Sequence, residues 1–132
     1  MHRIEINSDK KQQIIDITDE IRKIVDKEDI DKGICYIYVP HATCALIINE
    51  NYDPNVCDDI LNALDKLIPQ GVWKHDKIDN NGAAHIKAAI IGPSEFIPIE
   101  KGELKLGRWQ DIMLADFDGP RQRTVYIKII KG

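Results

Sequence analysis

Several features that would name a function class at once are missing from this chain of 132 residues. No apolar run approaches the roughly 20 residues that a membrane-spanning helix needs; the segment "CALIINE", residues 44–50, is far too short. The opening "MHRIEINSDKK" holds no apolar stretch followed by small residues of the kind that marks a secretory signal. The expected location is therefore the cytoplasm, with no membrane partner. Cysteine is scarce: Cys35, Cys44 and Cys57 are odd in number and form no C-x-x-C pair. Neither a disulfide framework nor a cysteine zinc site is indicated. Excess basic charge is also missing. The net charge is −4 and the pI is near 5.5, whereas a surface that tracks a phosphate backbone clusters Lys and Arg on one face. The densest basic group, Arg121 and Arg123 beside Lys128, is too small for that, so nucleic acid is not an expected partner. There is no internal repeat, no low-complexity linker, no H-E-x-x-H and no aspartate-rich diphosphate motif.

What is present suits one globular domain spanning residues 1–132. Hydrophobic residues make up 43% and charged residues 30%, and the length supports a single core but not two. "HRIEI" and "QIIDI" alternate with period two and read as strands. Thr18 is placed to cap a helix running to about Asp29, with Ile21, Ile24 and Val25 as its apolar stripe. "ICYIYV" is a strand stopped by Pro40, and "CALIIN" follows it. Asp53 and Pro54 open the clearest helix, carried by Val56, Ile60, Leu61, Leu64, Leu67 and Ile68. From Gly71 to Gly82 the chain is polar, turn-rich and long for a mere connection. Asn81 is placed to cap a short helix that ends at Gly92. "EFIPIE", "ELKLG", "RWQDIMLADF" and "RTVYIKII" complete the strands, with turns at Lys101-Gly102 and at Asp118-Gly119-Pro120. The expected fold is α+β: a mixed or antiparallel β-sheet of about seven or eight strands with two or three helices packed on it.

Three histidines stand where chemistry is possible: His41 at a strand break, His75 in the polar loop and His85 in the short helix. Catalytic zinc usually takes three protein ligands and keeps one position open, and imidazole is its commonest nitrogen donor. Around such an ion Asn49, Glu50, Asp76 and Asp79 would orient ligands or move protons. Their spacing matches no short metal motif, so the alternative stands that each histidine satisfies a local partner. On a helix beginning near Gly82, His85 shares a face with Ala89 while Ile86 and Ile90 share another, which leaves room beside the imidazole. Lys87 is either a solvated lysine or a phosphate contact. Arg121 and Arg123 fall on one face by period-two alternation, where guanidinium groups bind phosphate or carboxylate, or pair with the chain's own acids. Trp109 and Gln110 are core and edge residues on one reading, and the apolar wall and polar handle of a ring-binding pocket on the other. Cys44 sits in an apolar run, where packing outweighs a nucleophilic role.

The blocks "HATCALIINENYDP", "HDKIDNNGAAHIKAAIIGPS", "IPIEKGELKLGRWQDIML" and "FDGPRQR" resemble the YjbQ-like family, also called the secondary thiamine-phosphate synthase family. The resemblance runs from about Gly33 to Ile130, with Ala42 and Cys44 standing where members often carry Thr, Ser or Ala. It implies a compact α+β domain that assembles as a homotrimer. It also implies a pocket holding His41, Asn49, Glu50, His75, Asp76 and His85, with Gly107, Trp109 and Gln110 close by. His41, His75 and His85 would then be the metal ligands, three imidazoles favouring zinc over magnesium. Glu50, His85 and Asp76 would be the catalytic acids and bases. Asn49, Lys87, Trp109, Gln110, Arg121 and Arg123 would contact a small phosphorylated metabolite. The activity implied joins an aminopyrimidine diphosphate to a thiazole phosphate, and "secondary" in the family name leaves the main substrate open. The alternative is a trimeric protein that binds a metal or metabolite in the same pocket without turnover.

Overall fold

Alternation in "GICYIY" makes strand β3 (Gly33–Tyr38) two-faced: Cys35 and Ile37 are buried, while Ile34, Tyr36 and Tyr38 point outward. A computed structural model describes residues 1–132, and β3 is the middle strand of a five-stranded antiparallel sheet. Its neighbours are β8 (Gln122–Lys131) and β5 (Ser94–Glu100), flanked by β1 (His2–Asn7) and the two-residue β6 (Glu103–Leu104). A second sheet runs β2 (Gln13–Asp16), β7 (Asp111–Asp116), β4 (Cys44–Asn49), also antiparallel. Eight strands are present where seven or eight were expected in one sheet, but they divide between two layers. One twisted sheet of that size would have to curl or split to bury its apolar face.

The main core lies between the layers. Cys35, Ile37, Ile97, Ile99, Val125 and Ile127 of the larger sheet meet Cys44, Leu46, Ile112 and Leu114 of the smaller one. Helix α1 (Thr18–Glu28) adds Ile21, Ile24 and Val25, the stripe the sequence predicted. The smaller sheet is buried on both faces, which is why "DIMLAD" does not alternate. Its outer face, through Ala45, Ala115 and the adjoining Phe117, receives Leu61 and Leu64 of α2 (Pro54–Leu67) and Ala84 and Ala88 of α3 (Gly82–Ile91). No helix is long and apolar enough to cross a membrane.

Local signals hold where the side chain acts on its own backbone. Asp53 caps α2 by accepting from the Asn55 amide at 2.9 Å, and Pro54 occupies the first turn. They fail where a tertiary partner competes. Thr18 does not cap α1; it donates through Oγ1 to Asp16 at 2.6 Å and accepts from the Ile112 amide at 2.9 Å, tying the helix start to β7. The buried face of α3 is Ala83, Ala84, Lys87 and Ala88, while Ile90 is exposed. Small residues win that face because the helix lies close against β4, where bulkier side chains would hold it off.

Two buried cations tie separate elements together. Arg123 continues the inward row of Val125 and Ile127 and is only 3% exposed. Its Nε and Nη2 donate to the two oxygens of Asp116 at 2.9 and 2.8 Å, and Nη2 also reaches Thr43 Oγ1 at 2.9 Å. Ser8 donates to the same carboxylate at 2.7 Å. Burial pushes the Asp116 carboxyl up, but the Arg123, Ser8 and Asp118 hydrogen bonds outweigh it and leave the group below its ordinary value of 3.8. Lys87 is fully buried, its Nζ donating to Asp65 at 2.6 Å and Gln12 at 2.7 Å. It links α3 to α2 and the β1–β2 turn, and is neither a solvated lysine nor the phosphate contact expected of it. Arg123 is likewise a structural ion-pair residue, not a substrate contact.

A group whose folded pKa is lowered contributes stability that is present above its unfolded value and is lost as pH falls through the folded one. Urea midpoints of the unmodified protein should therefore stay level from pH 7 to about pH 4 as far as Asp116 is concerned, and fall below that. Replacing Arg123 by Met strands a buried carboxylate and should cost about 3–5 kcal/mol at pH 7. With its partner gone, burial raises the Asp116 pKa, so Arg123→Met should regain stability as pH drops from 7 to about 5. Parallel pH profiles for the two proteins would contradict this account.

Candidate functional site

The predicted site residues fall in three places, each set by a different part of the chain. The first is the polar connection between α2 and α3. Residues Lys74–Lys77 form a single 3-10 turn, and Asp76 acts there as a clasp. One carboxylate oxygen accepts from the Trp73 amide at 3.0 Å and the other from the Gly82 amide at 2.8 Å, so both ends of the segment close on one side chain. These two backbone bonds, Trp73 first, hold the Asp76 carboxyl below its ordinary value. Gly82 fits because a Cβ there would stand 2.7 Å from Trp73 Cβ and 3.0 Å from Asp76 Oδ1. Asp76 is thus an ionised positioning residue, and the proton-transfer role expected of it gives way to that.

The clasp brings His75 and His85 together. Their rings meet edge to face, with centroids 4.8 Å apart and planes at 85°. His75 Nε2 is buried without a hydrogen bond; Asp79 Oδ2 is 3.5 Å away, a charge contact that is not aligned as a hydrogen bond. The one other buried side-chain atom without a partner is Asn81 Oδ1, in the same segment. Asn81 does not cap α3. Its Nδ2 donates to Asp118 at 2.8 Å, fixing the amide so that Oδ1 turns away from that carboxylate. Asn81 carries no helical periodicity, and only its place beside "NG" marked it, as a cap.

The second place is the end of β8. His41 lies between β3 and β4, and its Nε2 accepts from the Thr124 amide at 2.9 Å. The proton is then on Nδ1. Burial, then the nearby Arg123 charge, lowers its pKa, so His41 is neutral near pH 7. Arg121 is largely exposed and donates to Asp118 at 3.2 Å, a carboxylate that also takes Lys11 and Asn81. Arg121 therefore retains open donors, whereas Arg123 has none facing outward. His41 does not join the pair: no three His, Cys, Asp or Glu side chains are grouped to hold a metal ion within one chain. Cys44 is buried and its thiol is pushed up to about 12 by burial, which rules it out as a thiolate nucleophile.

The third place is a cleft of about 630 Å³ between α1, the β4–α2 connection and the turn before β7. Trp109, half exposed, faces Tyr52 with ring centroids 5.5 Å apart, and the Arg108 guanidinium lies 4.9 Å from its centroid. Gln110 lines the cleft and its Oε1 accepts from the Gly107 amide at 2.8 Å, pinning the turn. Asn49 Oδ1 accepts from the Glu50 amide at 2.7 Å, and Glu50 Oε2 from the Asp53 amide at 3.3 Å. Both residues brace the chain entering α2. Sequence alone does not single out Tyr52, Arg108 and Arg22 as cleft residues. Tyr52 stood within a quoted motif, but Arg22 reaches the cleft from α1 and only the fold brings it there.

The whole of residues 2–132 matches the family model described as UPF0047 protein YjbQ-like. A UPF0047 protein of Methanocaldococcus jannaschii is 42% identical over 98% of this chain and 94% of its own. The UPF0047 protein YugU of Bacillus subtilis is 40% identical over 96% of each. Among solved structures, an uncharacterised YjbQ/UPF0047 protein from Clostridium acetobutylicum matches with a TM-score of 0.94 at 44% identity, covering 98% of this chain and 100% of that one. A protein of unknown function from Sulfolobus solfataricus matches with a TM-score of 0.95 at 35% identity, covering 99% and 96%.

The Asp76 clasp predicts a local effect. In Asp76→Ala, exchange of the Trp73 and Gly82 amides measured by NMR should accelerate at least tenfold while core amides of β3 and β8 stay unchanged. In the unmodified protein the same two amides should loosen only below about pH 4, as the lowered carboxyl protonates. Uniform acceleration across the chain would show a global role instead.

Proposed function

Since this chain belongs to the YjbQ-like UPF0047 family, we propose that it is a small-molecule enzyme with secondary thiamine-phosphate synthase-like activity. In that reaction the pyrimidine methylene carbon forms a C–N bond to the thiazole nitrogen. The C–O bond to the diphosphate breaks, and its electron pair leaves with pyrophosphate. The observation that carries the reading is the His75–His85 pair, two imidazoles in contact at the start of α3 with one buried ring nitrogen unpartnered. A buried ring nitrogen that merely served local backbone would be engaged, as His41 Nε2 is by the Thr124 amide. The cleft supports the same reading, because an aromatic pair beside Arg22 and Arg108 suits a ring that carries phosphate. Arg121 has donors left for a leaving diphosphate.

A divalent ion, zinc in preference to magnesium for imidazole donors, would be held by His75 and His85. His41 does not fit as a third ligand from the same chain, because its Nε2 is occupied by Thr124. Such an ion supplies charge neutralisation for a leaving diphosphate. The protein's own groups bind and orient: Trp109 and Tyr52 the ring, Arg121 the phosphate, and Asp76 the histidine-bearing segment. In this reading the protein works as a homotrimer in the cytoplasm, where charged phosphorylated metabolites are confined. A second reading, capture of the metabolite without turnover, is favoured by one observation: Asp76 is locked ionised by two backbone amides and cannot donate a proton near neutral pH.

The test supplies an aminopyrimidine diphosphate and a thiazole phosphate with zinc or magnesium and measures pyrophosphate release. The enzyme reading expects release that falls at least tenfold in both His75→Ala and His85→Ala. Absence of turnover, with a ligand-dependent rise in thermal midpoint that those variants lose, would select the binding reading. If neither substrate produces turnover or a shift, both are wrong.

A further inference from the structure

The aromatic cleft does not end at its own rim. A second cavity of about 350 Å³ adjoins it between α1 and the β5–β6 turn, bordered by Arg22, Val25, Asp26, Gly102, Glu103 and Leu104. Arg22, Glu103 and Leu104 border both spaces, so the two form one groove with Arg22 and Glu103 at the junction. Its floor is apolar and firm: Val25 is buried in the main core, and Leu104 and Leu106 pack against that core. The Gly102 amide donates to the Asp31 carbonyl at 2.9 Å, and its φ of 77°, which glycine adopts at little cost, holds the turn beside the cavity. The rim is charged. An apolar floor under a few converging charged groups is the usual build of a small-molecule site.

The rim charges are not spent on one another. Arg22 and Asp26 stand one helical turn apart, the spacing that favours an ion pair. Yet Arg22 makes only a 4.0 Å contact with Asp19, and Asp26 pairs with nothing. Glu103 is unpaired as well, because Lys105, two residues on, is taken by Glu100 at 3.2 Å. Arg108 lies over the Trp109 ring and has no carboxylate partner. Two guanidinium groups and two carboxylates thus face one groove with their hydrogen-bonding capacity open.

We propose that the groove takes an amino-substituted aromatic phosphate: the ring on Trp109, the phosphate on Arg22 and Arg108, and the amine in the smaller cavity at Glu103 and Asp26. The inference rests on the functional reading of the cleft and deepens it. Of the two co-substrates it assigns the groove to the aminopyrimidine diphosphate, and it makes Glu103 and Asp26 the residues that select it. Guanidinium forks match phosphate oxygens bidentately. Carboxylates only accept, so they favour an N–H donor, and they repel a second anionic group, which fixes the direction in which the ligand lies. Because the rim is exposed, water competes with the amine. The preference expected is therefore about tenfold, the low end for a hydrogen bond to a charged group.

The experiment is isothermal titration with two probes, the aminopyrimidine diphosphate and the same molecule with hydrogen in place of the amine. No thiazole partner is added, so no turnover occurs. The unmodified protein should bind the first probe about tenfold more tightly. Glu103→Ala with Asp26→Ala should bring that ratio to one. Losing two negative charges strengthens both probes alike and leaves the ratio untouched, so only the lost contacts are read. Arg22→Ala with Arg108→Ala should weaken both probes and keep the preference. All four side chains are exposed, and each double variant should keep the thermal midpoint of the unmodified protein. If the acidic double variant loses its fold, Glu103→Ala alone should still lower the ratio. Equal affinities in the unmodified protein, binding of neither probe, or a preference that survives loss of the carboxylates overturns the proposal. Pyrophosphate release without the preference would keep the enzyme reading and remove this one; the preference without release would do the reverse.

Discussion

A guanidinium in the inward-facing row of a β-strand is tolerable only if something inside answers it, and here Asp116 does. Arg123 follows the same alternation that sends Val125 and Ile127 into the core, so its direction is fixed by the pleat and not by its chemistry. Asp116 faces it from β7 in the opposite layer, and Ser8 and Thr43 complete the hydrogen bonding. The two sheets are thereby pinned at one end by a charge pair, while apolar contact joins them elsewhere. Because both charges are desolvated, the arrangement demands precise geometry from four separate chain segments.

That demand propagates to the histidines. Asp118, two residues after Asp116, donates its amide to the Asp116 carboxylate, and its own carboxylate receives Lys11, Arg121 and Asn81. Asn81 immediately precedes α3, and Gly82 is held by Asp76. Polar contacts joined through the adjacent residues Asn81 and Gly82 thus run from the inter-sheet ion pair to the turn where His75 and His85 meet. The histidine pair is anchored by the same network that joins the layers. On the other side of α3, buried Lys87 ties the helix to Asp65 and Gln12. The helix is therefore fixed through its polar residues as much as through its alanines.

The larger sheet shows how one periodic rule gives two outcomes. Inward, β3 presents Cys35 and Ile37 to the core; outward, it presents isoleucine and tyrosine with nothing from the chain above them. An apolar outer face on a central strand is costly for an isolated chain in water. The same strand thus organises the core on one face and leaves isoleucine and tyrosine exposed on the other.

How much of this was legible in the sequence depended on the range of the interaction. Strand alternation in "ICYIYV", the α1 stripe, and the Asp53-Pro54 start of α2 are legible because each signal acts within a few residues. The YjbQ-like resemblance was readable too, since it lives in residue order alone. What the sequence could not contain was which buried polar groups face each other. Thr18 and Asn81 look like caps, yet both spend their side chains on acids brought near by folding. Lys87 and Arg123 look like free cations, yet each is committed to a carboxylate from another element. Residue order alone sets the elements, their two faces and the family. Tertiary structure alone decided that His75 meets His85 without His41, and that the aromatic cleft stands apart from them, because such pairings depend on the three-dimensional closure of loops and not on any local period.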